Sequence, residues 1–298
     1  MRQIAVVGST GMLGREVALT KFFGYEVVEI NRQSAPVLFK NRHIQVDSNL
    51  SNIDELMDFS KIEYLVNCAG LIRQKIDEKH PNSREAALTA NFEIPLKLIS
   101  LSERYNFKII QIGTDCVYSG KKGSYIETDY HDATDFYGKT KLLGEIPHKN
   151  LSVIRASIVG REINSQSSLL SWFLSQPKGA VVSGFTDQLW NGVTVRHFAK
   201  FVKGIIEEND FEKFSGTHHV FPTNKVTKGK LLKIFSSAFG REDIEVVPVS
   251  SGRELDMTLS TNNVNFNETI WKLAGYPSAL SIEEMIVEYS LSIKSGGL

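Results

Sequence analysis

The sequence has few cysteines, no excess of one charge and no long apolar run. Its two cysteines, Cys68 and Cys116, form neither a disulfide framework nor a metal-binding motif. The 34 basic and 34 acidic residues cancel, so no basic stripe favours nucleic acid. No apolar stretch approaches the roughly 18 residues that a membrane-spanning helix needs. We therefore expect a cytoplasmic protein with no metal site, no membrane segment and no nucleic-acid partner.

The sequence instead alternates between strand-like and helix-like segments. A hydrophobic content of 42% over 298 residues suffices for one large α/β core or for two domains that share one. Helical spacing is longest at about 81–105, and repeated strand–helix units predict a doubly wound parallel sheet of Rossmann type. Short apolar runs that predict buried strands occur at 4–8, 25–31, 43–47, 64–70, 108–114 and 151–157.

The alternation of strands and helices becomes less regular after about residue 160, which predicts a smaller C-terminal lobe. We assign residues 1–160 to a dinucleotide-binding domain and residues 161–298 mainly to a substrate-binding lobe. Part of the second segment, about 196–222, is expected to return to the core sheet. The crevice at the carboxyl ends of the strands is then the expected ligand site.

A glycine-rich turn, GSTGMLG, follows the first predicted strand and opens the first predicted helix. It contains Gly8, Gly11 and Gly14 in a G-x-x-G-x-x-G pattern. Glycine lets the backbone turn tightly and approach a pyrophosphate, and a helix that begins with Met12 and Leu13 offers free N–H groups to the phosphates. We interpret the turn as a dinucleotide site rather than a turn that only packs.

The end of the second strand bears on the choice between NADP(H) and NAD(H). An acidic residue at that tip would bind the ribose 2′-hydroxyl of NAD, but Asn31 and Arg32 occupy the tip and Glu29 lies before it. A guanidinium suits a 2′-phosphate, so NADP(H) is preferred, with a solvated surface arginine as the alternative. Asp47, which ends the third strand, either accepts from the adenine amino group or caps a loop.

The segment YGKTK, residues 137–141, follows a strand that ends at Thr114. Tyr137 and Lys141 are four residues apart and share one face of a helix. Tyrosine has a pKa near 10, and a close ammonium group lowers it by favouring the phenolate. The Thr114 hydroxyl could hold a substrate oxygen beside Tyr137. Together with the glycine turn, these residues predict a catalytic trio rather than a surface Tyr–Lys pair.

These motifs, with NCAG at 67–70, resemble those of extended short-chain dehydrogenase/reductases. TDCVYSG followed by YGKTKLLGE is similar to the dTDP-4-dehydrorhamnose reductase branch. The resemblance implies reduction by NADPH of a 4-keto group on a nucleotide-activated 6-deoxy sugar, with a proton from Tyr137. It also implies that Lys141 lowers the Tyr137 pKa and holds the nicotinamide ribose, and that Ala69 and Gly70 border the cofactor. Asn91 is either a proton-relay residue of that superfamily or a residue of a helix bend.

Candidate substrate-binding residues come from the remaining polar and aromatic positions. Arg155 ends the sixth strand and either pairs with the substrate pyrophosphate or forms a structural ion pair. Trp190, beside Asn191, either stacks on the base or sugar or packs in the core. Asp115 and Cys116 follow Thr114, and Cys116 stands where that branch usually has tyrosine. This departure, and another in residues 184–194, leave the nucleobase and the sugar open.

Two other functions remain open on the sequence alone. A dehydratase or epimerase of the same superfamily is one, and a non-catalytic NADP-binding regulatory subunit is the other. The family's dehydratases carry an Asp–Glu pair after the threonine, whereas this chain reads Thr114-Asp115-Cys116. A cysteine is a poor substitute for a carboxylic acid, which favours the ketoreductase. We expect a nucleotide-sugar substrate and a monomer or homodimer.

Overall fold

The computed structural model of the protein describes residues 1–32, 41–163 and 165–294. Its strands are β1 (Arg2–Val7), β2 (Tyr25–Asn31), β3 (Arg42–Gln45), β4 (Ile62–Asn67), β5 (Lys108–Ile112), β6 (Leu151–Arg155), β7 (Ile158–Val159), β8 (Val181–Phe185), β9 (Gln188–Trp190), β10 (Val193–Thr194), β11 (Gly216–His219), β12 (Val226–Thr227), β13 (Glu245–Val249) and β14 (Leu255–Asp256). Its α-helices are α1 (Met12–Leu19), α2 (Ile53–Leu56), α3 (Pro81–Leu88), α4 (Ile94–Tyr105), α5 (Phe136–Leu143), α6 (Leu169–Leu174), α7 (Val195–Glu208), α8 (Lys228–Phe239), α9 (Val264–Leu273) and α10 (Ile282–Lys294).

Seven parallel strands form the central sheet, in the order β3-β2-β1-β4-β5-β6-β11. Strand order reverses between β1 and β4, the position at which open α/β sheets bind ligands. The last strand, β11, pairs in parallel with β6 and comes from the C-terminal part of the chain. The predicted fold class, a doubly wound parallel sheet, is confirmed.

Alternation along each central strand divides the apolar core between the two faces of the sheet. In β1, Ile4 and Val6 join one buried cluster, whereas Ala5 and Val7 join another. This is the period of two that a strand covered on both faces requires. The first cluster continues into α7, α9 and α10, and the second includes α4.

The helical segment predicted at about 81–105 is interrupted by a π-helical turn. α3 leads into Thr89–Glu93, which leads into α4, and Pro95 stands at the start of α4. Proline lacks the N–H that a continuous α-helix needs, and a π-turn accommodates the missing bond. The turn brings the buried side chain of Asn91 against the loop after β4, where it accepts a hydrogen bond from the Leu71 N–H.

Smaller sheets build the C-terminal part of the chain. β8 pairs in parallel with β13, β9 lies between β12 and β14, and β7 pairs with β10. α7 begins at its N-cap Thr194, whose hydroxyl accepts from the His197 N–H, and packs against α1. Among the residues that the structure describes, no helix has both the length and the apolar character needed to cross a bilayer.

Candidate active site

The glycine turn between β1 and α1 has the shape of a phosphate cradle. Gly8 adopts a φ of +79°, which glycine reaches without strain. A Cβ on Gly14 would lie 2.2 Å from the Gly8 carbonyl oxygen, so the turn closes only with glycine there. α1 starts at Met12 and Leu13 after the N-cap Gly11, and no side chain caps it. The first N–H groups of α1 therefore suit an anionic ligand.

Buried side chains of β2 support this turn through hydrogen bonds. The Ser9 hydroxyl donates to Glu29 over 2.7 Å, and Asn31 accepts from the Thr10 N–H over 3.0 Å. Asn31 is buried and also donates to Ser9, so its side chain supports the turn, and its contact with the cofactor stays a prediction. The residue at the tip with an exposed side chain is Arg32.

Asp47, after β3, takes the second of its two predicted roles. Its carboxylate accepts from the Ser51 hydroxyl over 2.7 Å and its carbonyl oxygen accepts from the Leu50 N–H. These bonds close the loop between β3 and α2. Asp47 is also exposed, and its contact with adenine stays a prediction.

The loop after β4 lies beside the catalytic helix. Gly70 is so close to Asn91 that a Cβ there would lie 3.2 Å from its amide oxygen and 3.9 Å from Lys141 Nζ. Asn91 donates to the Leu71 carbonyl and to the Thr140 hydroxyl, and thereby joins this loop to α5. The predicted cofactor-binding pair, Ala69 and Gly70, thus lies at the carboxyl end of β4, near Lys141.

Thr114 and Tyr137 meet where α5 packs on the turn after β5. A Cβ on Gly138 would lie 2.1 Å from the Cys116 carbonyl oxygen, so helix and turn are in direct contact. The Thr114 hydroxyl accepts from the Cys116 N–H, and Thr114 lies close enough to Tyr137 to act on the pKa of its hydroxyl. Asp115 is buried and accepts from Thr114 over 3.2 Å. The structure therefore brings Thr114 and Tyr137 of the predicted trio to one place.

The charges at this site differ from the expectation based on the motif. Burial raises the pKa of Tyr137 above its usual value, the adjacent Cys116 adds to the effect, and Thr114 opposes it. Lys141 donates to the Ile112 carbonyl over 2.7 Å, and burial lowers the pKa of its ammonium group. In this arrangement burial outweighs any lowering of the Tyr137 pKa, and a lowering by Lys141 stays a prediction. Burial also raises the pKa of the Cys116 thiol, which makes it a weak acid.

Arg155 forms the structural ion pair that was the alternative to a substrate contact. Its side chain is 3% exposed and that of Glu145 is 2% exposed, with 2.5 Å between Nη2 and Oε2. Arg155 also donates to the Tyr118 hydroxyl over 2.8 Å and lies 2.9 Å from His131 Nε2. Since the guanidinium is enclosed and its donors have protein partners, the structure favours the structural ion pair over the predicted contact with the substrate pyrophosphate.

Trp190 and Asn191 have their polar atoms turned toward the protein. Trp190 is buried and its Nε1 donates to the Ser157 hydroxyl over 2.7 Å. The Asn191 amide donates to the Leu259 carbonyl and accepts from the Leu259 N–H, over 2.7 and 2.9 Å. Trp190 thus joins its strand to the segment after β6, and Asn191 joins two segments of the C-terminal part. These contacts favour packing, and the contacts with substrate stay predictions.

Replacing Trp190 with phenylalanine tests this packing role. We expect Trp190→Phe to lower the free energy of unfolding by about 1–2 kcal/mol, because one hydrogen bond and part of the indole contact are lost. The KM for a sugar nucleotide should stay at the wild-type value. Thermal unfolding and steady-state kinetics measure both quantities. A raised KM at unchanged stability would instead place Trp190 at the substrate.

The structure adds residues that the sequence motifs did not indicate. Arg73, in the loop after β4, forms an ion pair with Asp135, the N-cap of α5. Asp135 accepts from the Gly138 N–H over 2.8 Å, and Glu78 accepts from the Phe136 N–H over 2.9 Å. An aspartate three residues before a glycine at a helix start is a recognisable cap, so Asp135 was open to prediction. The position of Arg73 depends on how the loop folds.

Comparison with known protein families assigns the chain. A family model described as the RmlD substrate binding domain matches residues 1–275. The match covers far more than half of the 298 residues, so the chain belongs to this family. The resemblance to dTDP-4-dehydrorhamnose reductases that the motifs predicted is confirmed.

Curated relatives include proteins with two different names. The methionine adenosyltransferase 2 subunit beta of Bos taurus is 25% identical over 261 residues, which are 84% of this chain and 75% of that protein. A dTDP-4-dehydrorhamnose reductase of Burkholderia thailandensis is 28% identical over 145 residues, 48% of this chain and 44% of that protein.

Solved structures share the fold over the whole chain. A dTDP-4-dehydrorhamnose reductase of Bacillus anthracis in complex with NADP has a TM-score of 0.72 at 18% identity, and covers 98% of this chain and 100% of that one. MoeE5 in complex with UDP-glucuronic acid and NAD has a TM-score of 0.75 at 16% identity, and covers 99% and 100%. At these identities the likeness establishes the fold.

Proposed function

We propose that this member of the family is an NADPH-dependent reductase of a nucleotide-activated 4-keto-6-deoxy sugar. The proposal rests on one observation. Tyr137 and Thr114 lie close together where α5 packs on the turn after β5. Tyr137 donates the proton to the substrate oxygen, and Thr114 holds that oxygen within reach. The dinucleotide, when bound, supplies the hydride to the keto carbon.

Three features of the chain fit a dinucleotide. The turn from Gly8 to Gly14 leaves backbone room for a pyrophosphate and directs an uncapped helix start toward it. Gly70 and Lys141 lie together at the carboxyl end of β4, where the second half of a dinucleotide would extend across the sheet. Arg32 stands exposed at the tip of β2, where a guanidinium suits the 2′-phosphate of NADP(H).

Arg32→Ala tests the preference for NADP(H). We expect the variant to lose about 1.5–3 kcal/mol of binding free energy for NADPH, because a charge-assisted contact to the 2′-phosphate disappears. NADH lacks that phosphate and should bind the variant and the wild type equally. Fluorescence titration with both cofactors gives the four dissociation constants. Equal losses for the two cofactors, or a wild-type preference for NADH, would contradict the assignment.

The residues beside Thr114 favour simple reduction over dehydration. A 4,6-dehydratase removes a proton at C5 and expels the C6 hydroxyl, which calls for an additional acid and base. Burial raises the pKa of the Cys116 thiol, so Cys116 is unsuited to that role at neutral pH. A ketoreductase needs one acid, and Tyr137 supplies it.

An NADPH-oxidation assay tests the proposed function directly. The substrates are 4-keto intermediates made in situ by a 4,6-dehydratase from dTDP-glucose and from UDP-N-acetylglucosamine. We expect one NADPH consumed per keto sugar and no conversion of either parent sugar nucleotide alone. The protein should purify largely without cofactor, since a reductase exchanges its dinucleotide at every turnover. Tightly bound NAD⁺ with dehydration or epimerisation would contradict the proposal.

A second candidate function is that of a non-catalytic, NADP-binding subunit. The observation in its favour is the longer match to the methionine adenosyltransferase subunit, 84% of this chain against 48% for the curated reductase. The same assay separates the two functions. NADPH binding without turnover of any 4-keto sugar nucleotide in a broad panel would support the subunit.

A further inference from the structure

Two buried amide side chains interrupt an apolar row of the central sheet. Asn67 on β4 pairs with Gln111 on β5, and their other neighbours in this row are Val7 and Val153. Both valines belong to one buried apolar cluster, and the two amide residues are buried with them. An amide buried among aliphatic side chains costs free energy unless its polar atoms have hydrogen-bond partners. The partners of the two amides therefore indicate what these polar residues do.

The hydrogen bonds of the two amides run from the loop after β4 to α5, the helix that carries Tyr137. Asn67 accepts from the Ala69 N–H and donates to Gln111, each over 3.2 Å. Gln111 in turn donates over 2.6 Å to the carbonyl oxygen of Gly144, the C-cap of α5. One buried chain of hydrogen bonds thus joins the loop beside the glycine turn to the end of the catalytic helix.

Consecutive residues of β5 hold the last turn of α5. Lys141 donates to the Ile112 carbonyl over 2.7 Å, and Gln111, the residue before Ile112, binds the Gly144 carbonyl. The helix end is also tightly packed, since a Cβ on Gly144 would lie 2.1 Å from a neighbouring carbonyl oxygen. Tyr137 lies two helical turns before Gly144, about 10 Å along the axis. Because so short a helix moves as a unit, a shift at Gly144 also displaces the Tyr137 hydroxyl.

We propose that Gln111 is a positioning residue, whose hydrogen bond to Gly144 holds α5 where Tyr137 can give its proton to the keto oxygen. The inference rests on the proposed ketoreductase function and adds to it a residue that acts through α5. Gln111 is enclosed between the sheet and its covering helices, so its side chain acts on the reaction only through its protein partners. A misplacement of about 1 Å at a reacting group lowers a rate by as much as roughly 100-fold.

The first test removes the hydrogen bonds of Gln111 and compares the loss with a matched control. Gln111→Met keeps the length of the side chain without its polar atoms. The control is Asn150→Leu, because Asn150 is also a buried amide, which accepts from Lys108 and donates to Ser102 at the opposite, amino end of the strands. We expect Gln111→Met to lower kcat roughly 10-fold with little change in the KM for NADPH. Asn150→Leu should lower the melting temperature comparably and leave kcat unchanged. Equal effects of the two variants on kcat would overturn the inference.

A double variant shows whether Gln111 acts through Tyr137. Gln111→Met is combined with Tyr137→Phe, and single-turnover reduction is measured in the wild type, in both single variants and in the double variant. If Gln111 positions the phenol, its replacement has little further effect once the phenol is gone, so the two losses do not add. The same roughly 10-fold loss in both backgrounds would show that Gln111 does not act through Tyr137, and would contradict the inference.

Gln111→Glu is a variant that regains the hydrogen bond when it is protonated. The O–H of a carboxylic acid can donate to the Gly144 carbonyl, whereas a carboxylate has no donor. Burial and the facing carbonyl raise the pKa of the new carboxyl group, the Lys141 ammonium opposes the rise, and Glu145 is paired with Arg155. We expect kcat, relative to the wild type at the same pH, to increase as the pH falls from about 8 to about 6. A relative kcat equal to that of Gln111→Met throughout this range would contradict the role of the hydrogen bond.

Amide hydrogen exchange separates failure of this inference from failure of the proposed function. If the wild type reduces no 4-keto sugar nucleotide, the ketoreductase proposal fails, and exchange in α5 decides whether Gln111 anchors that helix. We expect the amides of Phe136–Leu143 to exchange faster in Gln111→Met than in the wild type, and at the wild-type rate in Asn150→Leu. Exchange of α5 at the wild-type rate in Gln111→Met would show that Gln111 does not hold the helix.

Discussion

Tyr137→Phe should lower kcat by roughly 10²–10⁴, the range for the loss of a positioned general acid. Phenylalanine keeps the ring against the turn after β5 but has no proton to give to the keto oxygen. Affinity for NADPH should change little, because the glycine turn and Arg32 are untouched. Single-turnover reduction of a 4-keto sugar nucleotide and titration with NADPH measure the two quantities. Wild-type turnover in a variant whose chemistry is rate-limiting would exclude Tyr137 as the acid.

The pH dependence of the wild type gives an independent check. Reduction requires the protonated phenol, and burial raises the pKa of Tyr137 above its usual value. The acid form is therefore retained as pH rises, and we expect kcat to hold from about pH 6 to about pH 9. A fall in kcat well below pH 9 would show that the pKa of Tyr137 is lowered when ligands are bound, which is the effect that the motif predicts for Lys141.

The sheet and the glycine turn could be predicted because their determinants are local. The run Tyr25–Asn31 forms β2 with the predicted bounds, and the turn after β1 needs glycine at Gly8 and Gly14 for steric reasons. Neighbouring residues determine both the period of two along a strand and the geometry of a tight turn. Pro95 explains why the helix predicted at 81–105 is interrupted, but a proline alone does not predict that the interruption is a π-turn.

The roles of polar residues at the strand ends were harder to predict, because these roles depend on partners distant in sequence. Arg155 ends β6 and Arg73 lies in the loop after β4, yet the first meets Glu145 in the interior and the second meets Asp135 near the surface. Asn31 is another example, since Ser9 and Thr10 engage its side chain from the preceding turn. A single sequence gives the residue type at such positions, and only the folded chain decides which partner is within reach.

The buried ion pair of Arg155 should carry a large share of the stability of this region. Removing one partner of such a pair leaves an uncompensated buried charge, so we expect Arg155→Met to lower the free energy of unfolding by about 3–5 kcal/mol. The stem of Arg155 also packs on Gly113, since a Cβ on that glycine would lie 2.6 Å from Arg155 Cγ. Methionine retains much of this packing, which isolates the loss of charge. Urea unfolding at constant pH measures the change.

The double variant Arg155→Met with Glu145→Met is the decisive control. It removes both charges, so no unpaired charge is buried, and we expect it to recover most of the stability that the single variant loses. Its KM for the sugar nucleotide should equal that of the wild type, because both side chains are enclosed in the protein. Gly113 directly precedes Thr114, so a modest effect on kcat through the position of Thr114 is compatible with this role. A large rise in KM for both variants, at wild-type stability, would show that Arg155 contacts the substrate pyrophosphate.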